Sequence, residues 1–472
     1  MPTRVPTRGL AAAFLAASLM PLNSTMIAVA VPAIATELDH DPATVTSALV
    51  TTYLVAAIAL QSPGGRLGDR LGHWRVLALG QVVLGVGALL GFLAPAMWLL
   101  SVSRVLMAVG GAVVVPATVA LIRLELPADR RGRAYGLFGA AMSLAAGIGP
   151  VVGGELVRTA GWEALFLANL PVLAVAGLLA TGTRGIAAPV DTEQRRRGGT
   201  RFDWLGSVLL TAAVAALVLG VQSSGPTSVS LLLLCAAVSI AFVSQERRAS
   251  DPVVAFALFR SASFTAGTLL IASLNLVMYA LLFEIPLVLE ASFDLGAQQT
   301  GRLLVSMMLA MVVTSVVAGR SADRFGARSV ALAGTLVCLT GVALLLAGTL
   351  RSSGEVRLPL VLLGLGLGLA NPAAQAASLA RVARAYSGTA AGMGSTMRYL
   401  GGVVGVAVLA RVLDTERSAS SVLDQHHTLL TVFLVVLLGG LACTPFLPGR
   451  ADRRPGPQVL VAQSGPGVRR SG

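Results

Sequence analysis

The chain has 472 residues, of which 55% are hydrophobic and only 12% are charged, and its mean hydropathy is +0.80. A soluble domain of this length cannot bury so much apolar surface, so the composition excludes a water-soluble protein and predicts several membrane-spanning segments. The net charge of +13 comes from 35 arginines and no lysine, and its meaning depends on where those arginines lie.

Fourteen segments contain the run of ~20 mostly apolar residues that a transmembrane helix requires. They are predicted, in chain order, at 9–35, 45–64, 75–94, 97–122, 134–157, 163–183, 203–221, 229–246, 263–289, 300–319, 329–350, 357–378, 388–411 and 428–447. The first segment follows two arginines, but it is too long for the core of a signal peptide, so we interpret it as a retained helix. The predicted fold class is an all-α polytopic membrane protein.

The arginines are distributed unevenly between the two sides of the membrane. We let the loops alternate sides from an inside N-terminus and count an arginine within three residues of a span end with the adjoining loop. The cytoplasmic side then holds 27 of the 35 arginines and the outer side holds 6. Basic residues concentrate in cytoplasmic loops, so we expect both termini in the cytoplasm. The basic excess then reports topology and contact with anionic lipid rather than nucleic-acid binding. Exclusive arginine usage also resembles the bias of a GC-rich bacterial genome, which places the chain in a bacterial cytoplasmic membrane.

A charged, glycine-rich sequence occurs twice. GRLGDRLGHWR at 65–75 returns as GRSADRFGAR at 319–328, and each copy is predicted in a short loop between two apolar runs. Such a repeat indicates two related membrane halves, which are typical of transporters that alternate about a central site. Eight predicted spans separate the copies, two more than a duplication of six-helix halves provides. We interpret 203–221 and 229–246 as an inserted central pair.

The duplicated aspartate predicts a gate. Asp69 and Asp323 occupy the same place in the two copies. A carboxylate there can pair with arginine or cap a neighbouring helix N-terminus in one conformation and release it in the other. The gating residues predicted from the repeat are Gly65, Asp69, Arg70, Gly72 and Arg75 in the first copy and Gly319, Asp323, Arg324 and Gly326 in the second.

The spans and loops divide the chain into four predicted parts. They are an N-terminal six-helix bundle at 1–183, basic linkers with two additional transmembrane helices at 184–262, a C-terminal six-helix bundle at 263–448 and a disordered cytoplasmic tail at 449–472. Within the second part, 184–202 is predicted to be a solvated linker. The link at 246–262 mixes aromatic residues with arginines, so we expect an amphipathic helix at the inner surface.

Charged residues inside the spans are the first candidates for function, because an ion in lipid is costly. Arg104 and Arg398 lie within their spans, Glu284 lies late in the ninth span, and Glu155 ends the fifth near the outer face. A carboxyl group in a dry cavity can take up and release a proton, so Glu284 is a candidate for proton coupling. It could equally sit near the outer headgroups or pair with an arginine, and Arg104 could simply brace helices.

Other chemistry has little support. The three cysteines lie in separate apolar runs without metal-ligand spacing, and all four histidines are predicted in loops, the pair at 426–427 being a weak metal candidate. No GxxxxGK[ST] phosphate loop occurs, which argues against ATP as the energy source. We therefore expect no cofactor and no enzyme activity, with a proton gradient as the driving force.

Several of these sequences resemble known family patterns. The motif at 65–75 resembles the signature between the second and third helices of the major facilitator superfamily, and RVLMAVGG at 104–111 is similar to its fourth-helix pattern, with Met107 and Ala108 as departures. GIGPVVGG at 147–154 resembles the fifth-helix pattern of antiporter-type exporters. The segments at 161–171, 203–206 and 394–405 resemble parts of fourteen-span drug exporters.

The resemblance implies the major facilitator fold, with two pseudo-symmetric six-helix bundles, two inserted helices and a midplane cavity. Glycines in the fifth helix allow close backbone packing and a bend. The helix-packing residues of that pattern are Gly149, Pro150, Gly153 and Gly154. The side chains predicted to line the substrate cavity are Asn23, Gln61, Met142, Asn275, Tyr279 and Asn371.

The resemblance also implies a proton-coupled exporter of small organic compounds, of the multidrug or antibiotic efflux kind. Its partners would be the substrate, protons and the lipid bilayer, with no nucleic acid, and we expect a monomer. One departure matters: Asn23 stands where such exporters often have an acidic residue. Either Glu284 carries the proton instead, or coupling differs. A cationic substrate is also less favoured.

Two alternatives remain open. One is a dedicated carrier of a single metabolite, including an anionic one that Arg104 and Arg398 could hold. The other is a transport-inactive membrane partner or sensor. The short loops argue against a sensor, and the intact gating sequences argue against a transport-inactive protein.

Overall fold

The computed structural model describes residues 7–181, 203–223, 225–249, 252–293, 297–348, 353–413 and 419–449, and within these ranges the regular structure is helical. In chain order the main helices are α1 (Thr7–Met26), α2 (Thr52–Leu71), α3 (His73–Phe92), α4 (Met97–Glu125), α5 (Ala128–Ala160), α6 (Asn169–Ala180), α7 (Trp204–Gln222), α8 (Gly225–Arg248), α9 (Ala262–Phe293), α10 (Ala297–Phe325), α11 (Ala327–Ala347), α12 (Ser353–Leu379), α13 (Ser387–Val412) and α14 (Ala419–Cys443). The predicted linker at 184–202 and all but the first residue of the predicted tail at 449–472 lie outside the described residues.

Three of these helices are extended by short helical pieces. A 3₁₀ turn at Ile27–Ala30 and a helix at Val31–Glu37 continue α1. A short helix and a π turn at Ser47–Thr51 lead into α2, and Ala164–Leu167 precedes α6. In the described ranges, thirteen helical stretches are long and apolar enough to cross a membrane, and Ala164–Ala180 is a shorter apolar one. The predicted all-α polytopic fold is confirmed.

The repeated motif is mostly helical, and its prediction as a loop was wrong. Helix α2 continues through residues 65–71, and the turn consists of Gly72 alone, whose φ is 93°. The second copy has the same geometry at Gly326, also with φ 93°. Only glycine adopts this backbone conformation readily, which explains why both copies keep it. Hydropathy marks where a helix leaves the apolar layer, whereas the helix itself extends further.

The two halves have separate hydrophobic cores. One core is built mainly by α1–α6 and also receives side chains from the start of α13, including Ala390 and Ala391. The other is formed by residues between Ala266 and Leu447, without any contribution from α1–α6. The halves meet where α2 packs on α13 and where α5 packs on α10.

The inserted pair lies beside one of these seams. Helices α7 and α8 pack on each other, and α7 also contacts α2 and α13. Thr51 donates a hydrogen bond to Gln222 at the end of α7 (3.2 Å). Most of α8 is uncovered, with exposed apolar side chains such as Leu233 and Ile240. Because those side chains need an apolar surrounding, α8 is suited to face lipid.

The link after α8 differs from the predicted amphipathic helix. Its described residues, 249 and 252–261, contain a single 3₁₀ turn, Phe256–Arg260. The Glu246 carboxylate accepts hydrogen bonds from the backbone N–H groups of Val253 (3.2 Å) and Val254 (3.0 Å). Ser62 of α2 donates to the Val253 carbonyl (3.0 Å). These bonds hold the link against the bundle, so it does not form a free surface helix.

Candidate functional site

Asp69 connects the two halves of the molecule. It lies in the last turns of α2, and its carboxylate accepts three hydrogen bonds of 2.7 Å, from the N–H groups of Gly388 and Thr389 and from the Thr389 hydroxyl. Those residues begin α13, in the other half. A carboxylate at a helix N-terminus satisfies N–H groups that have no partner within the helix and is attracted by the helix dipole. Asp69 therefore caps α13.

Asp323 makes the reciprocal connection. Its carboxylate accepts hydrogen bonds from the N–H groups of Gly132 (2.9 Å) and Arg133 (2.8 Å), in the second turn of α5. Each half thus supplies a carboxylate to a helix of the other half. We call these two sets of bonds the motif latch, and the end of the bundle that contains them the motif end.

The latch requires backbones to touch. A Cβ atom added to Gly65 would lie 2.1 Å from the Gly388 carbonyl oxygen, and one added to Gly319 would lie 2.5 Å from the Gly132 carbonyl oxygen. Real Cβ atoms do not approach so closely, so glycine is required at both crossings. Two more hydrogen bonds cross the halves here, from Arg123 to the Val382 carbonyl and from Arg384 to the Leu124 carbonyl (2.9 Å). The motif end is closed.

The remaining motif residues surround the latch. Gly72 and Gly326 form the turns, Arg70 and Arg75 flank the first turn, and Arg324 lies over the Phe325 ring at 5.1 Å. His73 is the first residue of α3, not a loop residue, and its Nε2 lies 3.4 Å from an Asp69 oxygen. That ring is buried and restricts the position of the carboxylate.

The glycines of the fifth helix bring α5 against α1. Added Cβ atoms would lie 2.0 Å from the Thr25 hydroxyl at Gly149 and 2.7 Å from Met26 Cγ at Gly153. At Gly154 the only neighbour would be Val29, at 4.0 Å, and Pro150 lies inside the helix. Two of the four predicted packing residues therefore make the close approach.

Arg104 is a buried cation held by backbone groups. It is 1% exposed, and it donates hydrogen bonds to the Leu49 carbonyl (2.9 Å) and the Asn23 carbonyl (3.3 Å). Its guanidinium lies 4.1 Å from the centroid of the Tyr53 ring. Leu49 belongs to the π turn Ser47–Thr51, where helix carbonyls depart from their regular spacing. Arg104 thus braces α1, α2 and α4 where α1 and α2 are irregular.

Asn23 is paired with another amide. It donates to the Asn169 side-chain oxygen (2.7 Å), and Asn169 donates back to the Asn23 oxygen (3.1 Å). This reciprocal pair links α1 to α6 and leaves Asn23 3% exposed. Gln61 and Met142 are also buried in this conformation. That these three side chains bind substrate stays a prediction.

The second half contains a polar cluster on α9, α12 and α13 that includes Arg398. Arg398 donates to the Gln375 side-chain oxygen (3.1 Å), and Asn275 donates to that of Asn371 (3.0 Å). Tyr279 packs across the face of Gly402 on α13. Arg398, Asn371 and Tyr279 are partly exposed, and we call these five residues the arginine cluster. Among the described residues, neither Arg398 nor Arg104 forms an ion pair with a carboxylate.

The two acidic candidates lie in different surroundings. Glu155 is exposed and pairs with Arg158, three residues further along α5. Glu284 is 0% exposed, and its Oε1 lies 2.8 Å from Nδ1 of His426 on α14. His426 was predicted in a loop because histidine lowers hydropathy, and the predicted fourteenth span began at 428. The helix begins nine residues earlier.

The model of the Major Facilitator Superfamily matches residues 13–406. The chain belongs to the major facilitator superfamily. It is therefore a multi-pass membrane transporter and not an enzyme, and the resemblance of the repeated motif to this family is confirmed. The two carboxylates of the motif latch, the packing glycines of α5 and the arginine cluster all lie on helices that the superfamily model covers.

Known superfamily members resemble the chain over most of its length. It is 30% identical to the tetracenomycin C resistance and export protein of Streptomyces glaucescens, over 83% of this chain and 73% of that protein. It is 26% identical to the riboflavin transporter RibZ of Clostridioides difficile, over 82% and 83%. The solved structure of the proton:xylose symporter XylE has the same fold, with a TM-score of 0.68 at 15% identity, over 95% of this chain and 97% of XylE.

Proposed function

We propose that this superfamily member is a proton-coupled exporter of small organic compounds, of the antibiotic or multidrug efflux kind. The observation that carries the proposal is the motif latch, because two carboxylates that each accept hydrogen bonds from the backbone of a helix in the other half provide a gate that can form and break as a unit. A relative named for tetracenomycin C resistance and export supports the export direction.

The proposed orientation places the motif end and both termini in the bacterial cytoplasm, since basic loops stay inside. The conformation in which the motif latch is formed is then closed to the cytoplasm. Breaking the latch opens the cavity inward, where substrate enters from the cytoplasm or the inner leaflet. Substrate release and protonation follow on the outside. Each bundle and the latch are complete within one chain, and we propose that it acts as a monomer.

A second candidate is a dedicated carrier of one anionic metabolite. It is favoured by the arginine cluster, in which a partly exposed guanidinium lies among amides and a phenol without a described carboxylate. A cavity with that charge attracts an anion and repels a cation. The related riboflavin transporter shows that metabolite carriers occur among similar chains.

Dye transport in inverted membrane vesicles tests the proposal. We expect energised vesicles to accumulate dye and an uncoupler to abolish the accumulation. Vesicles without the protein provide the background. Accumulation that survives the uncoupler would contradict proton coupling. If neither a cationic nor an anionic dye moves, the single-metabolite carrier becomes the better explanation, and small molecules retained by cells lacking the protein would identify its substrate.

Arg398→Gln is expected to weaken transport of an anionic substrate but not of a cationic one. Removing one charge-assisted hydrogen bond, ~1.5–3 kcal/mol, should weaken binding of an anionic dye by roughly tenfold or more. Transport of a cationic dye should be unchanged or improved. Competition between the two dyes in the same vesicles provides the measurement, with Arg411→Gln at the end of α13 as the control. An equal loss for both dyes would show that Arg398 is structural.

A further inference from the structure

Both halves contain a buried polar pair between their first and sixth helices. In the first half this pair is Asn23 with Asn169, which links α1 to α6. In the second half it is Glu284 with His426, which links α9 to α14. The two pairs belong to equivalent helices of the repeat, but only the second can bind or lose a proton. The second half thus contains a titratable pair where the first half contains a neutral pair.

The depth of Glu284 places it inside the membrane. At a rise of ~1.5 Å per residue, Glu284 lies roughly 10 Å from the midpoint of α9, on the side away from the motif end. Both Glu284 and His426 are 0% exposed. An ionisable pair at that depth is costly unless it has a function.

The geometry determines how many protons the pair holds. The 2.8 Å between Nδ1 of His426 and Oε1 of Glu284 is a hydrogen bond. A neutral imidazole and a carboxylate can already form it with a net charge of −1, and one added proton makes the pair neutral. A second proton would leave a net positive charge in an apolar, fully buried place, and such a charge is very unfavourable. Because a net charge of either sign is costly there, the closed pair holds one proton beyond that of the neutral imidazole and is neutral as a whole.

No neighbouring charge competes for that proton. On the outer halves of α9 and of the helices packed against it, the other charged or titratable side chains are Tyr279, Glu290, Arg302, Glu355, Arg357, Arg411, Asp424 and His427. None of these forms a hydrogen bond or ion pair with Glu284 or His426 among the described residues. His427 is adjacent, with its ring centroid 6.0 Å from that of His426, but it is exposed. Glu284 Oε2 and His426 Nε2 also have no protein partner in the described chain.

Pro286 provides a way to expose the pair. It lies two residues after Glu284, inside α9, and it cannot donate a backbone hydrogen bond to the helix. Helices bend most easily at such a proline. Bending of the outer part of α9 away from α14 would admit water to Glu284 and allow the proton to exchange.

We propose that the Glu284–His426 pair is the site that binds the coupling proton, holding one proton when it is closed and exchanging it when α9 bends. This inference rests on the proposed proton-coupled function. It assigns to α14, at the edge of the second bundle, a direct part in energy coupling that Asn23 cannot supply from α1.

The site can be tested without a substrate. Infrared difference spectra of the purified protein between acidic and alkaline pH record the protonation of buried carboxyl groups. Wild type is expected to show a buried carboxyl signal that disappears in Glu284→Gln and shifts in His426→Gln. The matched control is His427→Gln, an exposed histidine on the same helix, which should leave the signal unchanged. A signal unaffected by Glu284→Gln overturns the proposal.

Transport then tests the coupling. In vesicles, Glu284→Gln and His426→Gln are expected to lose dye accumulation driven by a pH gradient by at least tenfold, while dye exchange at equal pH continues. If both variants still accumulate dye with the gradient, the proposal is overturned. If wild type itself accumulates dye without a proton gradient, the proposed function fails, and the infrared result alone decides whether the pair binds a proton. If Glu284→Gln does not fold, the double variant Glu284→His with His426→Glu replaces it. This exchanged pair should show the buried carboxyl signal. A folded double variant without that signal would contradict the proposed site.

Discussion

Asp69→Asn is expected to open the motif end of the transporter. The carboxylate accepts three hydrogen bonds of 2.7 Å from the start of α13. An asparagine can accept with its single oxygen, but its NH₂ group faces N–H donors. At least one bond is lost and the others lose their charge assistance, a total of ~3 kcal/mol or more, which favours the open motif end by roughly a hundredfold or more. A hundredfold change converts a roughly tenfold excess of closed molecules into a roughly tenfold excess of open ones.

Spin-label distances provide the measurement. One label on Arg130→Cys in the first half and one on Ala385→Cys in the second report the opening directly, once Cys235, Cys338 and Cys443 are replaced. Asp69→Asn should shift the distances to longer values. Asp323→Asn should shift them less, because Asp323 accepts two described bonds between the halves where Asp69 accepts three.

A nearby carboxylate is the control for this experiment. Asp129 lies in the first turn of α5 at the same end of the bundle and is exposed. Asp129→Asn removes the same charge without touching the latch, so its distances should equal those of wild type. Equal opening in Asp129→Asn and Asp69→Asn would mean that net surface charge, and not the latch, closes the motif end.

Arg104→Lys is expected to abolish transport and lower the melting temperature, although it retains the positive charge. The guanidinium reaches the Leu49 and Asn23 carbonyls from two nitrogens while it lies on the Tyr53 ring. A lysine presents one compact ammonium and cannot make all three contacts. The lost bonds are worth ~1.5–3 kcal/mol each in a buried site, and the desolvated cation–π contact ~2 kcal/mol. Irregular turns in α1 and α2 would then lack their brace.

Thermal unfolding and dye transport measure this effect together, and Tyr53 supplies matched variants. Tyr53→Phe removes only the hydroxyl that donates to the Met20 carbonyl (3.0 Å) and keeps the ring below Arg104. Tyr53→Leu also removes the ring. We expect Arg104→Lys to be the most damaging, Tyr53→Leu intermediate and Tyr53→Phe mild. Wild-type stability and transport in Arg104→Lys would show that a point charge is sufficient and that the brace is unnecessary.

The acidic residues illustrate how far the sequence alone could go. The repeated motif predicted Asp69 and Asp323 as parts of a gate, and helix capping was one of the roles expected for them. The helices that donate to them could not be identified, because Gly388 is 319 residues from Asp69 and Gly132 is 191 residues from Asp323. Glu284 was recognised as an intramembrane charge, but its partner was missed. A hydropathy average underestimates the length of a helix that begins with polar residues, so His426 lay outside the predicted fourteenth span.

The sequence by itself determined the membrane class, the two related halves, the inserted pair and the superfamily, because these depend on composition, span length and a local motif. The tertiary structure alone decided which faces of the helices meet. Helix rotation and separation depend on close contacts at glycines, such as Gly65 with the Gly388 backbone and Gly149 with the Thr25 side chain. Those contacts join residues far apart in the chain, and they determine that Arg104 meets carbonyl groups while Glu284 meets a histidine.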